Sequence, residues 1–68
     1  MLILRPRRVR IHQLDPAPTL EGLLVSSLNG HYKLLKPSVL ESPERSLELS
    51  GDVWVPKANV IFIETVRA

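Results

Sequence analysis

The sequence predicts an all-β fold, a five-stranded small antiparallel barrel. Two observations in the second half of the chain support this prediction. Residues 47–55 alternate between apolar and polar side chains, which is the period of a half-buried strand. Residues 60–63 form a further β-type run that is apolar on both faces, and such a strand is covered on both sides. No segment has a convincing helical pattern, because the best candidate, residues 37–47, contains Pro43.

The first half of the chain supplies the first two strands. The first strand begins after Pro6 or lies at an edge of the sheet, since proline cannot donate a ladder hydrogen bond. Residues 15–18 contain two prolines and form a loop. The second strand covers residues 20–27. Gly22 lies inside it and predicts a sharp bend or the close approach of another backbone.

Turn signals place the remaining strands. Asn29-Gly30 is the strongest hairpin signal in the sequence, because both residues accept positive φ. The third strand starts at residue 31 and resumes after Pro37. A turn at residues 42–45 leads to the fourth strand, residues 47–55. A short connection of helical type at residues 56–59 then leads to the fifth strand, residues 60–66.

The predicted core follows from the strand faces, because residues two apart point to the same side of a strand. We expect the inward face of each strand to be its more apolar one. The inward set is Val9, Ile11, Leu24, Leu47, Leu49, Val53, Val55 and either Ile61 with Ile63 or Val60 with Phe62.

Size and charge limit the domain organisation and the partners. A chain of 68 residues makes one domain, which we divide into a basic N-terminal arm at residues 1–8 and a barrel at residues 9–68. Four arginines fall in the first ten residues, although the net charge is only +2. Cysteine is absent, so disulfides cannot support the small core, and oligomerisation is the leading alternative. The absence of cysteine and of a long apolar run predicts a cytoplasmic protein without membrane contact.

Two segments resemble known families. Residues 21–27 (EGLLVSS), followed by the hairpin, resemble the first motif of Sm-like proteins. Residues 51–63 (GDVWVPKANVIFI) resemble the second motif of that family, which is a strand, one turn of helix and a strand. The same run is similar to the end of Src-homology-3-like barrels, where a Pro-x-x-Asn turn joins the last two strands. The resemblance covers residues 20–66 and implies a small barrel. Sm-like proteins also assemble into rings and bind uridine-rich RNA.

The RNA-binding pattern of Sm-like proteins is incomplete in this chain. The loop between their second and third strands carries an acidic residue and an asparagine, and only Asn29 corresponds here. Their second motif contains a basic residue before a glycine, and the corresponding pair is Ser50-Gly51. The resemblance therefore implies the fold more directly than the RNA site.

Trp54 is the most informative single residue. Strand alternation places it on the polar face with Glu48, Ser50 and Asp52, opposite the valines. An outward tryptophan is an interface anchor, a side chain packed under the N-terminal arm, or a platform for a nucleobase. We favour contact with a partner or subunit. The predicted protein-interface residues are Trp54, Phe62, Ile63 and Val60.

A nucleic-acid surface is the alternative use of the polar residues. The N-terminal arginines could neutralise phosphates, and the hairpin loop could contact bases. The candidate nucleic-acid residues are Arg5, Arg7, Arg8, Arg10, Asn29, His31 and Tyr32. The competing interpretation is a solvated arm that aids solubility.

Catalysis is not expected. His12 and His31 match no metal-ligand spacing, and no serine or threonine sits in a nucleophile-elbow pattern. The sequence predicts a non-enzymatic protein without cofactor or metal. Its favoured function is a self-assembling ring or dimer with a structural or adaptor role, which contacts other proteins. The alternative is an Sm-like oligomer that binds RNA or single-stranded nucleic acid.

Overall fold

The computed structural model describes residues 2–42 and 44–67, and it confirms the all-β fold. In chain order the elements are β1 (Leu2–Gln13), β2 (Thr19–Leu28), β3 (His31–Ser42), β4 (Arg45–Glu48), β5 (Val53–Pro56), a 3₁₀ turn (Lys57–Asn59) and β6 (Val60–Thr65). The 3₁₀ turn is the connection of helical type that the sequence predicts. No helix in the described part of the chain is long and apolar enough to cross a membrane.

The strands form one antiparallel sheet of six strands in the order β4-β3-β2-β1-β6, and β5 also pairs with β3. Within the described ranges no ladder joins β6 to β4 or β5, so the sheet is not closed into a barrel. The predicted five strands become six because the backbone between β4 and β5 leaves the strand conformation. Gly51 lies in this break with a φ of 76°, which extended strands do not adopt.

Both pieces of the predicted fourth strand pair with the long strand β3. β4 pairs with its second part, from Ser38 to Ser42, and β5 pairs with its first part, from His31 to Leu34. The segment that the sequence predicts as one strand is therefore two short strands, which pair with successive parts of β3.

The hydrophobic core lies on one face of this curved sheet. Its buried apolar side chains come from β1, β2, β3 and β5, and they are Val9, Ile11, Leu20, Leu24, Leu34 and Val55. Leu49 and Val53 pack against this core while partly exposed. The prediction for Leu47 is wrong. Its side chain is 54% exposed because β4 is the outermost strand and no neighbour covers it.

A β-bulge changes the expected facing of β6. Ile11 pairs with Ile63 and His12 with Phe62, but Gln13 pairs with Val60, so Ile61 is an extra residue. Val60 and Ile63 therefore both pack against the core, although they have opposite parity. Neither predicted pair of inward residues is correct, because the bulge shifts the alternation between them.

The first strand starts earlier than the sequence suggests. β1 begins at Leu2, so the residues expected to form a basic arm continue the same strand as Val9. The register between β1 and β2 shifts between Ile3 and Arg7, the interval that contains Pro6. A bulge there allows proline to lie in the strand without interrupting the ladder on either side.

Gly22 marks the close approach of another backbone, as predicted. A Cβ atom built on it would lie 2.9 Å from the carbonyl oxygen of Leu35 and 3.3 Å from the Cα of Pro37. The register of β2 with β3 shifts at this point. Lys36 adopts a φ of 49° there and forms the bulge that presses on the glycine.

The predicted hairpin turn at Asn29-Gly30 is present in the structure. Asn29 and Gly30 have φ values of 48° and 75°, which are those of a type I′ hairpin turn between β2 and β3. The predicted turn at residues 42–45 contains Pro43, which lies outside the described residues.

Candidate interaction surface

The two large apolar side chains of the sheet with the highest exposed fractions lie next to each other on β6. Ile61 is 58% exposed and Phe62 is 55% exposed. Both result from the bulge, which turns two consecutive residues away from the core. Among the strands that the structure describes, β6 pairs only with β1, so these side chains lie on a strand with one free edge. We call the free side of β6, from Val60 to Thr65, the β6 edge.

Polar and aromatic groups of β1 hold the side chains of the β6 edge in place. His12 pairs with Phe62 across the ladder, and their rings stack with centroids 4.2 Å apart. His12 Nε2 lies 3.1 Å from Oε1 of Glu64, within hydrogen-bond distance. Phe62 is therefore fixed in an exposed position by a contact within the chain.

The four predicted interface residues divide into two kinds. Phe62 and Trp54 are exposed, Trp54 by 43% of its surface. Val60 and Ile63 are half-buried and pack against the core, so only part of each side chain is available to a partner.

Trp54 lies on β5, on the face away from the core. Together with Leu28, Asn29 and His31 it lines a shallow depression of about 330 Å³. The ammonium group of Lys33 lies 5.5 Å from the centre of its ring. The depression brings two of the predicted loop residues, Asn29 and His31, next to the predicted tryptophan.

Two of the four predicted phosphate-binding arginines are already paired. Arg8 Nη2 and Arg10 Nε donate to the carboxylate of Glu21 at 2.6 and 2.8 Å. Glu21 lies on β2, where its side chain is only 13% exposed. The hydrogen bond from Arg10 holds the pKa of this carboxyl below its ordinary value; partial burial opposes the shift and the hydrogen bond from Arg8 adds to it. Arg5 and Arg7 are exposed and make no ion pair within the described residues.

We expect Glu21→Gln to lower the free energy of unfolding at neutral pH by about 1 kcal/mol, because the half-exposed arginines lose their charged acceptor. The lowered pKa of Glu21 means that its contribution is full above the ordinary pKa of glutamate. It is lost as the pH falls through the folded-state pKa. The difference between wild type and variant should therefore shrink in acid. Urea unfolding at several pH values measures it.

Glu48→Gln is the matched control for this prediction, because Glu48 is exposed on β4. It should change stability by less than about 0.5 kcal/mol. A pH-independent difference for Glu21→Gln would show that the carboxylate does not act through its charge.

The hairpin residues of the nucleic-acid prediction lie far from the paired arginines. Arg10 lies opposite Glu21, and the hairpin turn begins at Asn29, further along β2. At roughly 3.3 Å per residue the separation is about 25 Å. His31 Nδ1 contacts the carbonyl oxygen of Asn29 at 3.0 Å, and Tyr32 packs against the core with Lys57 over its ring. The hairpin residues of the nucleic-acid prediction therefore do not form one patch with the paired arginines Arg8 and Arg10.

The sequence does not show which residues of neighbouring strands contact the predicted site residues. Glu21 carries no motif, and its role depends on the register between β1 and β2. Arg8 and Arg10 are two residues apart on β1 and so share a face, but nothing in the sequence indicates which strand lies beside them. The stack of His12 on Phe62 depends in the same way on the β1–β6 register.

Comparisons of the chain with protein-family models, curated proteins and solved structures give no match. The fold and the surface together define a small all-β protein whose exposed apolar side chains lie along a free strand edge. Such an arrangement can bind another β-strand through its backbone and an apolar surface through its side chains.

Proposed function

We propose that this protein is a non-enzymatic interaction module that self-associates and acts as a structural or adaptor protein. The observation that carries the proposal is the β6 edge, where Ile61 and Phe62 are both more than half exposed on a strand with a free side. Unpaired strand edges and exposed apolar side chains are two features by which small sheets recognise partners.

The internal contacts of Phe62 support an interface role over a folding role. Its ring stacks on His12 and does not enter the core. A large aromatic side chain held outward in a fixed position binds a partner at a low cost in conformational entropy.

We also propose that the open sheet belongs to the class of small barrels that the sequence resembles. The support is topological. β1 lies between β2 and β6, and a 3₁₀ turn connects β5 to β6, which is the strand, turn and strand arrangement of the Sm-like and Src-homology-3-like motifs. Association through the open edges would complete the backbone pairing that the single chain leaves unfinished.

Binding of RNA or single-stranded nucleic acid is the second candidate function. The observation that favours it is Trp54, exposed beside Lys33 and His31, since aromatic rings next to cations can stack on bases. The pairing of Arg8 and Arg10 with Glu21 leaves fewer cations for phosphates. This candidate requires affinity for a single-stranded oligonucleotide that falls steeply with salt.

Sedimentation equilibrium at micromolar concentration tests the first proposal. Wild-type protein should have a mass above that of the monomer, and Phe62→Glu should lower it, because a charge replaces an exposed apolar contact. Trp54→Ala tests the second exposed aromatic, and Glu48→Ala is the surface control. A wild-type monomer would contradict self-association, as would an assembly whose mass neither aromatic substitution changes.

A further inference from the structure

The open edges of the sheet differ in their ability to pair with another strand. β4 is only four residues long, all exposed, with Arg45 and Glu48 at its ends. Short edge strands with charged residues are protected against pairing. β6 is six residues long and carries two exposed apolar side chains.

The edge of β5 is blocked in a different way. The backbone N–H of Lys57 donates to the carbonyl of Gly30, so alternation along the ladder turns the position of Pro56 away from β3. Proline has no N–H to offer at that outward position. Of these three strands, β6 is therefore the one whose free edge is best able to accept another strand.

The backbone of β6 offers hydrogen-bonding groups at defined positions. The N–H of Val66 donates to the carbonyl of Arg8 at 2.9 Å, so the alternate residues Glu64 and Phe62 also face β1. The N–H and C=O groups of Ile63 and Thr65 then point away from the sheet. These are the groups that another strand would meet.

We infer that the partner of this edge is β6 of a second copy of the chain, in antiparallel pairing about a two-fold axis at Ile63. This inference rests on the proposed self-association and specifies its edge, symmetry and register. A ring would need two complementary edges, whereas a two-fold dimer uses one edge twice. The two sheets then form one continuous sheet.

The register follows from the side chains. A two-fold axis perpendicular to the sheet requires that opposed residues lie on the same face. An axis at Glu64 would place like charges opposite each other, and an axis at Phe62 would place the bulge residue Ile61 opposite Ile63, in the hydrogen-bonded pairs next to the axis. An axis at Ile63 moves Ile61 to the outer pairs, opposite Thr65. The axis at Ile63 pairs the outward N–H and C=O groups of both Ile63 residues. It also places each Phe62 opposite Glu64 of the other copy.

Charges on the face away from the core support this register. Glu64 is flanked within its own chain by Arg10, its ladder neighbour, and by His12. The two-fold arrangement therefore places the two Glu64 side chains diagonally, not directly opposite each other, and keeps each near bases and an aromatic ring. No like charges lie directly opposite each other.

Two matched proline variants test the edge. Thr65→Pro removes an outward N–H of β6, and Ser46→Pro removes an outward N–H of β4, since the N–H of Leu49 donates to Pro37 and alternation turns Ser46 outward. Sedimentation equilibrium should give two protomers for wild type and Ser46→Pro, and one for Thr65→Pro. Circular dichroism checks that both variants keep the strand spectrum.

Two substitutions at Phe62 test the register independently of any proline. Phe62→Glu places an acid opposite the partner's Glu64 and should raise the dimer Kd by about tenfold or more. Phe62→Lys places a base there and should raise it less.

The outcomes separate the dimer from self-association in general. Three or more protomers, or dissociation by Ser46→Pro, would show a ring and overturn the two-fold edge while leaving self-association in place. Equal effects of the glutamate and lysine substitutions would overturn the register. A wild-type monomer would overturn both proposals.

Discussion

Replacing Ile11 by alanine is expected to lower the free energy of unfolding by about 2–5 kcal/mol. Ile11 is fully buried on β1, which lies between β2 and β6, and it belongs to the core cluster. Its removal takes apolar surface out of the core and leaves a cavity that strands on both sides prevent from closing. A domain of this length has a total stability on the order of 3–10 kcal/mol, so the expected loss is a large fraction of the whole.

Ile61→Ala is the control, because it makes the same chemical change at a side chain that is 58% exposed. Under dilute conditions it should alter stability by less than about 0.5 kcal/mol. Urea denaturation of both variants gives the comparison. Equal losses at the two positions would mean that the core does not lie on the face of β1 described here.

Gly22→Ala is expected to lower the free energy of unfolding by about 1–3 kcal/mol, which is a large effect for one methyl group. The added Cβ would lie 2.9 Å from the carbonyl oxygen of Leu35 and 3.5 Å from the Cβ of Leu34. The nearest atom is backbone, so a rotamer change cannot relieve the contact. The β3 bulge at Lys36 would have to move away from β2.

Gly51→Asn separates the effect of space from the effect of backbone conformation. Gly51 has a φ of 76° but no atom within 4 Å of the Cβ position, and asparagine accepts positive φ better than most residues. We expect a loss below about 1 kcal/mol. Thermal or urea unfolding compares the two variants, and a harmless Gly22→Ala would contradict the close approach of β3.

The alternation of apolar and polar side chains, together with the turn residues, predicted the all-β fold class. Both are local properties of the sequence. Asn29-Gly30 gave the hairpin, and residues 56–59 gave the 3₁₀ turn, which both appear in the structure. The division of the fourth strand and the open sheet were not predictable in the same way. Both depend on whether distant edges meet, and no local pattern reports that.

The sequence predicted individual residues of the candidate surface but not how they are arranged. Trp54 and Phe62 were identified as outward or interface residues, and both are exposed. The bulge at Ile61 was missed because bulges depend on the partner strand. The pairing of two arginines with Glu21 was missed for the same reason, since it requires the β1–β2 register.

Amide hydrogen exchange of β6 tests the central claim most directly, because it reports on the edge residue by residue. At concentrations where the protein associates, the amides of Ile63 and Thr65 should exchange slowly, and on dilution they should become fast. Phe62 and Glu64 face β1 and should be protected in both states, whereas Ser46 on the β4 edge should exchange fast in both. Fast exchange of Ile63 and Thr65 in fully associated protein would contradict the account.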